Sequence, residues 1–333
     1  MNTKKIALII SLMVCIATIA YAAFENVDFG VRASALNGAF TALADDATTI
    51  LANPAGTAQL VRGEMALNYA RPFMGLENVK INQGSLMIAG PSFEDFGVGI
   101  GATMCNANGM YQEVQILTNL SYEWKNLFFN KNTSFALGGN LKFMTMKLVD
   151  YKGAIAEGDE AANLKSKTKL TFDLGALFKY KGMRLGVSGQ NLLPADFGEV
   201  VESTIHRETH VGFGYDFIFK KQESVIEDGE RYPLRLTPLL EVYKRGDQPY
   251  QGVVACEIQP FNNLAFQVGM SEESFTVGCS WGVMNVPAPT ESAGNEELAI
   301  PAAFKPRLDI GYEFSRKISD DLGTPMISFI WRF

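Results

Sequence analysis

Long segments in which apolar and polar residues alternate make up most of this chain. From Leu170 to Tyr180 every second residue is apolar or aromatic, and the residues between them are mainly polar or glycine. Because successive side chains of a β-strand point to opposite faces, this pattern predicts a strand with one apolar and one polar face. Similar segments recur to the C-terminus and predict about 14 strands. Their approximate bounds are 62–70, 83–90, 96–104, 113–125, 133–146, 168–181, 183–190, 207–219, 234–244, 251–260, 263–270, 274–283, 306–315 and 326–333.

The length of these segments indicates that their apolar faces meet lipid. Many predicted strands have about 9 to 11 residues, the length that a tilted strand needs to cross the hydrocarbon core of a bilayer. No stretch after the N-terminus approaches the roughly 18 uninterrupted apolar residues of a transmembrane helix, which excludes a helical membrane protein. A closed barrel is then the structure able to cross a membrane. Aromatic residues at the ends of the apolar faces suit the interfacial girdles of a barrel: Tyr69, Tyr122, Trp124, Tyr180, Tyr215, Trp281, Tyr312 and Trp331.

The N-terminus has the three-part layout of a secretory signal peptide. Lys4 and Lys5 precede a short apolar run from Ile6 to Ile19, and Ala20-Tyr21-Ala22 offers small residues for cleavage after Ala22. An uncleaved membrane anchor is the alternative. Export and alternation together predict an all-β fold, a transmembrane antiparallel β-barrel in the outer membrane with a small N-terminal helical plug. The predicted organisation is a signal peptide at 1–22, a plug segment at 23–60 and the barrel at 61–333.

The last strand carries a feature of its own. Phe329, Trp331 and Phe333 share one face, and Phe333 ends the chain. A final strand that ends on an aromatic residue resembles the signal by which the barrel assembly machinery of the outer membrane recognises its clients. The alternative is an ordinary amphipathic edge strand that stops on phenylalanine.

The segment before the first predicted strand lacks the alternation and is rich in small residues. Alanine and leucine favour a short helix from Ala33 to Ala44, and Asp45 or Asp46 is placed to cap a second helix from Ala47 to Leu51. Asn53-Pro54 ends that helix, because the position before proline disfavours helical backbone.

Four short motifs follow one another in this segment: Gly30-x-Arg32, Gly38-Ala39-Phe40, Ala44-Asp45-Asp46-Ala47 and Asn53-Pro54-Ala55-Gly56. In this order they resemble the N-terminal plug of FadL-type outer-membrane transporters, and most closely the PorV/PorQ branch that is associated with type IX secretion. Asn37 stands where such proteins often carry glycine, and we attach little functional weight to it because asparagine costs a helix no more than glycine. The resemblance implies a fourteen-stranded barrel and a gating role for the plug residues Gly30, Arg32, Gly38, Asp45, Asp46, Asn53, Pro54, Ala55 and Gly56.

The sequence offers no persuasive active site, so we expect no enzyme, no metal and no cofactor. His206, Glu208 and His210 lie on one face of a predicted strand. However, same-face neighbours on a strand are almost 7 Å apart, so three from one straight strand do not easily converge on one ion. The formal charge of −7 argues against a nucleic-acid partner.

Three functional hypotheses remain open. The first is passive passage of a hydrophobic or amphipathic, fatty-acid-like small molecule, gated by the plug, because a barrel of about 14 strands needs something in its lumen to prevent leakage. The second is a barrel that docks secreted proteins in type IX secretion, as the PorV/PorQ resemblance implies. The third is a general porin or structural outer-membrane protein. Expected partners are outer-membrane lipid, the assembly machinery, a hydrophobic ligand and, in the second hypothesis, secreted proteins.

Overall fold

Alternating segments pair with their neighbours along the chain to form one closed antiparallel β-barrel, with β1 and β15 adjacent and β10 paired to β11 to complete the ring. The computed structural model describes residues 30–75, 80–93, 95–109, 111–127, 132–148, 166–197, 204–219, 234–261, 263–282, 305–315 and 322–333. The predicted signal peptide at 1–22 and the first residues of the predicted plug segment lie outside the described residues.

The strands follow the chain order around the ring. They are β1 (Glu64–Ala70), β2 (Ile81–Pro91), β3 (Phe96–Ala107), β4 (Tyr111–Lys125), β5 (Thr133–Leu148), β6 (Lys167–Tyr180), β7 (Met183–Gln190), β8 (Glu208–Tyr215), β9 (Phe217–Phe219), β10 (Leu234–Arg245), β11 (Gln251–Phe261), β12 (Leu264–Met270), β13 (Ser274–Gly282), β14 (Lys305–Ser315) and β15 (Thr324–Arg332).

Strands β8 and β9 together occupy one place in the barrel. Both pair with β10 in one continuous register, which runs from Phe213 opposite Leu240 to Phe217 opposite Leu236. In this register Pro238 on β10, which lacks an N–H for the ladder, lies opposite Tyr215, directly before the interruption at Asp216. The barrel therefore has fourteen strands, as the alternation predicted, and both 83–90 and 251–260 are strands.

The outward faces of the strands are apolar and exposed, as expected for contact with lipid. Six of the eight aromatic residues predicted as girdle residues lie near the barrel end that carries the start of β1 and the end of β15, here called the terminal end. Tyr69 and Tyr312 lie toward the opposite end, here called the loop end. At the terminal end Tyr122 packs edge-on against Trp124, with ring centroids 4.7 Å apart. No helix among the described residues is long and apolar enough to cross a membrane.

Residues 30–60, here called the lumen segment, pack against the inward faces of the strands. The segment contains α1 (Val31–Ala35), α2 (Thr49–Ala52) and the 3-10 helix η1 (Pro54–Gln59). Its large side chains, Leu36, Phe40, Leu43 and Ile50, are fully buried. The burial of these side chains supplies the apolar contribution that holds the segment in place.

The helices of this segment are shorter than the sequence predicted. The expected helix from Ala33 to Ala44 is wrong beyond Ala35, because Asn37 and Gly38 adopt left-handed backbone with φ of 55° and 82°. Asparagine adopts this conformation more readily than most residues. This explains why asparagine occupies position 37, which helix propensity did not predict. The second helix begins at Thr49, later than predicted, and the Asp46 carboxylate accepts hydrogen bonds from the amide and hydroxyl of Thr48.

Glycines on the inward faces let the lumen segment approach the wall closely. A Cβ atom at Gly138 would lie closer than 3.0 Å to the Pro54 carbonyl, and one at Gly175 would collide with the Asn53 side chain. The same holds for other inward glycines, so the polar-or-glycine face seen in the sequence is the face that receives the segment. The glycines that would collide with it are Gly97, Gly99, Gly138, Gly175, Gly186, Gly212, Gly269 and Gly278.

Candidate functional site

Arg32 is the centre of the contact between the lumen segment and the wall. Its guanidinium donates two hydrogen bonds to the Glu257 carboxylate on β11, at 2.6 and 2.7 Å, and one to Asp45 at 2.5 Å. Arg32 and Glu257 are almost fully buried, with side-chain exposures of 5% and 2%. The planar guanidinium matches a carboxylate in this two-bond geometry, which fixes the segment in orientation as well as position.

Asp46 ties the same segment to β14. Its carboxylate accepts a hydrogen bond of 2.7 Å from Arg307, which also donates to Asp309. Burial opposes ionisation of Asp46, but the charges of Arg307 and Arg32 and the hydrogen bond from Thr48 outweigh it and hold the pKa of Asp46 well below its usual range. Asp46 is therefore an anion enclosed between two guanidinium groups.

A third set of charges reaches the other side of the barrel. Arg184 on β7 lies 3.8 Å from the Asp45 carboxylate and 2.9 Å from that of Asp216. Arg235 on β10 binds the second oxygen of Asp216 at 2.8 Å. Asp45 and Asp46 thus connect the lumen segment to β7 and β14, and Arg32 connects it to β11, through residues far apart in sequence.

The Asn53-Pro54-Ala55-Gly56 motif forms the start of η1. The Asn53 side chain accepts a hydrogen bond from the Ala55 amide and donates to the carbonyls of Thr41 and Ala176. Pro54 occupies the first helical position, where its missing N–H leaves no unsatisfied donor. At Gly56 a Cβ would collide with Thr49 and with the Ala44 carbonyl. The motif is a tight, buried packing unit.

Gly30 and Gly38, the two remaining motif glycines, are favoured at their positions for different physical reasons. A Cβ at Gly30 would collide with the Thr48 side chain, whereas Gly38 has open space around it but a positive φ. Apart from Gly38, which is exposed, the plug residues that the sequence singled out lie in one buried unit inside the barrel. The sequence did not identify their partners Glu257, Arg307 and Arg184, whose only signal was charge on the polar face of a strand.

The predicted assembly signal lies on the outside of the last strand. Phe329 and Trp331 face outward, with ring centroids 5.9 Å apart. Phe333 is 67% exposed, and its amide donates to the Gly63 carbonyl. These residues are available for recognition, and the assembly role itself stays a prediction.

Above the lumen segment, the loop end of the barrel holds a vestibule of about 450 Å³. Its floor includes Gly38, Thr41 and Ala52 of the lumen segment, and its walls carry both polar and apolar side chains. Four carboxylates line it against one guanidinium, so its charge is negative. These charged residues are Glu208, Glu241, Glu273, Glu313 and Arg245.

His210 joins two of those carboxylates and the floor. Its Nδ1 lies 3.0 Å from Glu241 and its Nε2 lies 3.3 Å from Glu208, and its ring stacks on Tyr243. Glu241 in turn accepts hydrogen bonds from the amide and hydroxyl of Thr41. Glu208 and His210 share one face of β8 as predicted, whereas His206 precedes the strand. The contacts of Glu208 and His210 form a network between the wall and the floor.

Comparison with known proteins places this arrangement in a family. The model of the family described as type IX secretion system membrane protein PorP/SprF matches residues 46–325. The chain belongs to the PorP/SprF family. The family model begins inside the lumen segment and covers nearly the whole barrel, so the match spans the elements described above. The PorV/PorQ branch that the motifs suggested stays a prediction. No curated protein matches the sequence.

Solved structures share the fold of this PorP/SprF member at low sequence identity. The monoaromatic hydrocarbon channel CymD is 11% identical, with a TM-score of 0.50, covering 93% of this chain and 98% of that one. The P. putida toluene transporter TodX is 9% identical, with a TM-score of 0.47, covering 92% and 99%. The Acinetobacter baumannii outer membrane protein Omp33 is 6% identical, with a TM-score of 0.43, covering 82% and 98%. The prediction of a transmembrane antiparallel β-barrel is confirmed.

Proposed function

We propose that this PorP/SprF member acts in type IX secretion as a closed barrel that docks secreted proteins at its loop end. Two observations support this proposal. A buried, charge-paired lumen segment fills the barrel, and the family to which the chain belongs is described by that secretion system. The lumen then serves as a rigid support for the docking surface, and the connections at the loop end bear the specificity.

The attachment of the lumen segment supports a fixed closure. Three separate wall strands hold it through Arg32–Glu257, Asp46–Arg307 and Asp45–Arg184. Removing one partner of a buried ion pair costs about 3–5 kcal/mol, because the other charge is left without compensation. A segment that moved aside with every transport event would have to break several such contacts together.

The lining of the vestibule also favours docking. Sites for small hydrophobic ligands are lined mainly by apolar and aromatic side chains with a few polar groups. Here the mouth of the barrel presents four glutamates, four serines and two glutamines beside apolar residues such as Leu51, Phe73 and Met326. Its net negative charge repels the carboxylate of a fatty-acid-like molecule, so the surface is better suited to a protein partner.

Plug-gated uptake of a hydrophobic molecule is the competing function, and its mechanism requires movement of the lumen segment. A disulfide that fixes the segment to the wall separates the two. Thr57 on η1 and Ser121 on β4 are suitable positions, since their hydroxyl oxygens lie 2.6 Å apart, near the roughly 2.05 Å S–S bond of a natural disulfide. Cys105, Cys256 and Cys279 would be replaced by serine to prevent mispairing.

The test expresses Thr57→Cys/Ser121→Cys in a strain lacking the native gene. Secreted proteins would be quantified by mass spectrometry, and uptake of oleate would be measured in the same cells. The expected result is that deletion reduces secretion of particular proteins and that the oxidised, locked barrel restores it. Loss of oleate uptake on deletion, with an unchanged secretome, would overturn the proposal. A locked barrel that works only after reduction would also overturn it.

A further inference from the structure

A second cavity lies on the outer surface of the barrel wall at its loop end. It measures about 450 Å³ and lies between the connection that follows β7 and the turn between β10 and β11. Its lining includes Asn191, Arg207, Thr209, Lys244 and Tyr250. The position is independent of the lumen, because Thr209 and Lys244 share the outward face with the lipid-facing residues of β8 and β10.

Two cations without carboxylate partners border this cavity. Among the described residues neither Arg207 nor Lys244 takes part in an ion pair. Arg207 donates to the Leu192 carbonyl at 3.3 Å, and the Lys244 ammonium lies over the Tyr250 ring, 5.4 Å from its centroid. Asp247 is the one carboxylate among the described residues of the lining, where it stands against two cations.

Directly below these cations the wall is apolar. Lys244 pairs with Thr209, and the next outward pair toward the membrane centre is Val242 with Val211. Val187 pairs with Val211 on the other side, and the three valines are 48–50% exposed. Two residues along a strand span about 6.6 Å, so the cations lie one such step from an open apolar strip.

We propose that this cavity binds the phosphate of an anionic membrane lipid, whose acyl chains lie along Val187, Val211 and Val242. Guanidinium and ammonium groups form short, charge-assisted hydrogen bonds with phosphate. Basic residues at a membrane interface attract anionic lipids, and a free phosphate would gain nothing from the apolar strip. A phosphorylated glycolipid carries both features, a phosphate and several acyl chains, and is the proposed ligand class.

The test uses the full chain purified in detergent, with native mass spectrometry to measure bound lipid. The probes are phosphorylated lipid A, phosphate-free lipid A and inorganic phosphate. The variant Arg207→Gln/Lys244→Gln removes both charges, and Lys147→Gln, an exposed cation elsewhere on the loop end, is the matched control. Retained heat-modifiable gel mobility shows that each variant is folded.

The wild-type chain and Lys147→Gln should bind phosphorylated lipid A equally, and the double variant should bind at least about tenfold more weakly. Phosphate-free lipid A should bind the wild-type chain weakly, with an affinity similar to that of phosphorylated lipid A for the double variant. Millimolar inorganic phosphate should not displace the bound lipid. Equal binding by the double variant, or equal binding of both lipids to the wild-type chain, would overturn the proposal. Displacement by inorganic phosphate alone would show a free-anion site and would overturn it too.

Discussion

Removing the Arg32 guanidinium should release the lumen segment while leaving the barrel closed. Arg32→Met would leave the Glu257 carboxylate, 2% exposed, with Gln267 as its remaining hydrogen-bond donor among the contacts described. The loss of one partner from a buried pair costs about 3–5 kcal/mol. Because each 1.4 kcal/mol is a factor of ten, docking of the segment should weaken by roughly 10²–10³-fold.

The assay is single-channel conductance in planar bilayers, combined with limited proteolysis of the lumen segment. The parent barrel should remain mostly closed, and Arg32→Met should open frequently and expose the segment to protease. The double variant Arg32→Met/Glu257→Met leaves no orphan carboxylate at position 257, so it should recover roughly 2–3 kcal/mol of the loss.

The matched control is an ion pair of similar length at the surface. Lys125 lies 2.6 Å from Asp95, and its side chain is 53% exposed. Lys125→Met should change stability by about 1 kcal/mol or less and leave conductance unchanged. If Arg32→Met behaves like Lys125→Met, or if the double variant is as open as the single one, the buried pair does not hold the segment.

Three further predictions concern residues of the barrel wall. Leu174 lies at mid-strand and is 55% exposed to lipid, so Leu174→Arg should lower the free energy of unfolding in vesicles by about 2–4 kcal/mol. Thr168→Arg near the loop end should lower it by only about 0–1 kcal/mol. Equal costs would refute the depth in the membrane assigned to these two residues. Gly138→Ala collides with Pro54 and should raise conductance, while Gly139→Ala, with ordinary contacts, should not. Deletion of Phe333 should lower the amount inserted in cells more than refolding in detergent, and equal losses would indicate a structural role alone.

The strands could be predicted because their signal is local. Alternation is a property of a few neighbouring residues, and an outward face in lipid leaves it undisturbed from β1 to β15. Even the strand interrupted at Asp216 was predicted as one segment, 207–219, because the apolar positions Val211, Phe213 and Phe217 keep their period across the break.

The conformation of the lumen segment was harder to predict, because it depends on contacts with the surrounding strands. Helix propensity favoured a helix through Asn37 and Gly38, yet both adopt left-handed backbone where the chain turns against β12 and β13. There the Asn37 amide donates to the carbonyl and hydroxyl of Ser274, a contact that outweighs intrinsic propensity.

By itself the sequence predicted the export signal and the membrane-crossing barrel, since both depend on composition or on short periodicity. It identified the plug motifs through their resemblance to FadL-type transporters. Only the tertiary structure decided what the motif charges bind. Arg32 and Glu257 are 225 residues apart in sequence, and the closure of the ring brings them within 2.6 Å. Which residue lies opposite a charge inside a barrel depends on the stagger of every strand pair around the whole circumference. A local sequence pattern does not determine that total stagger.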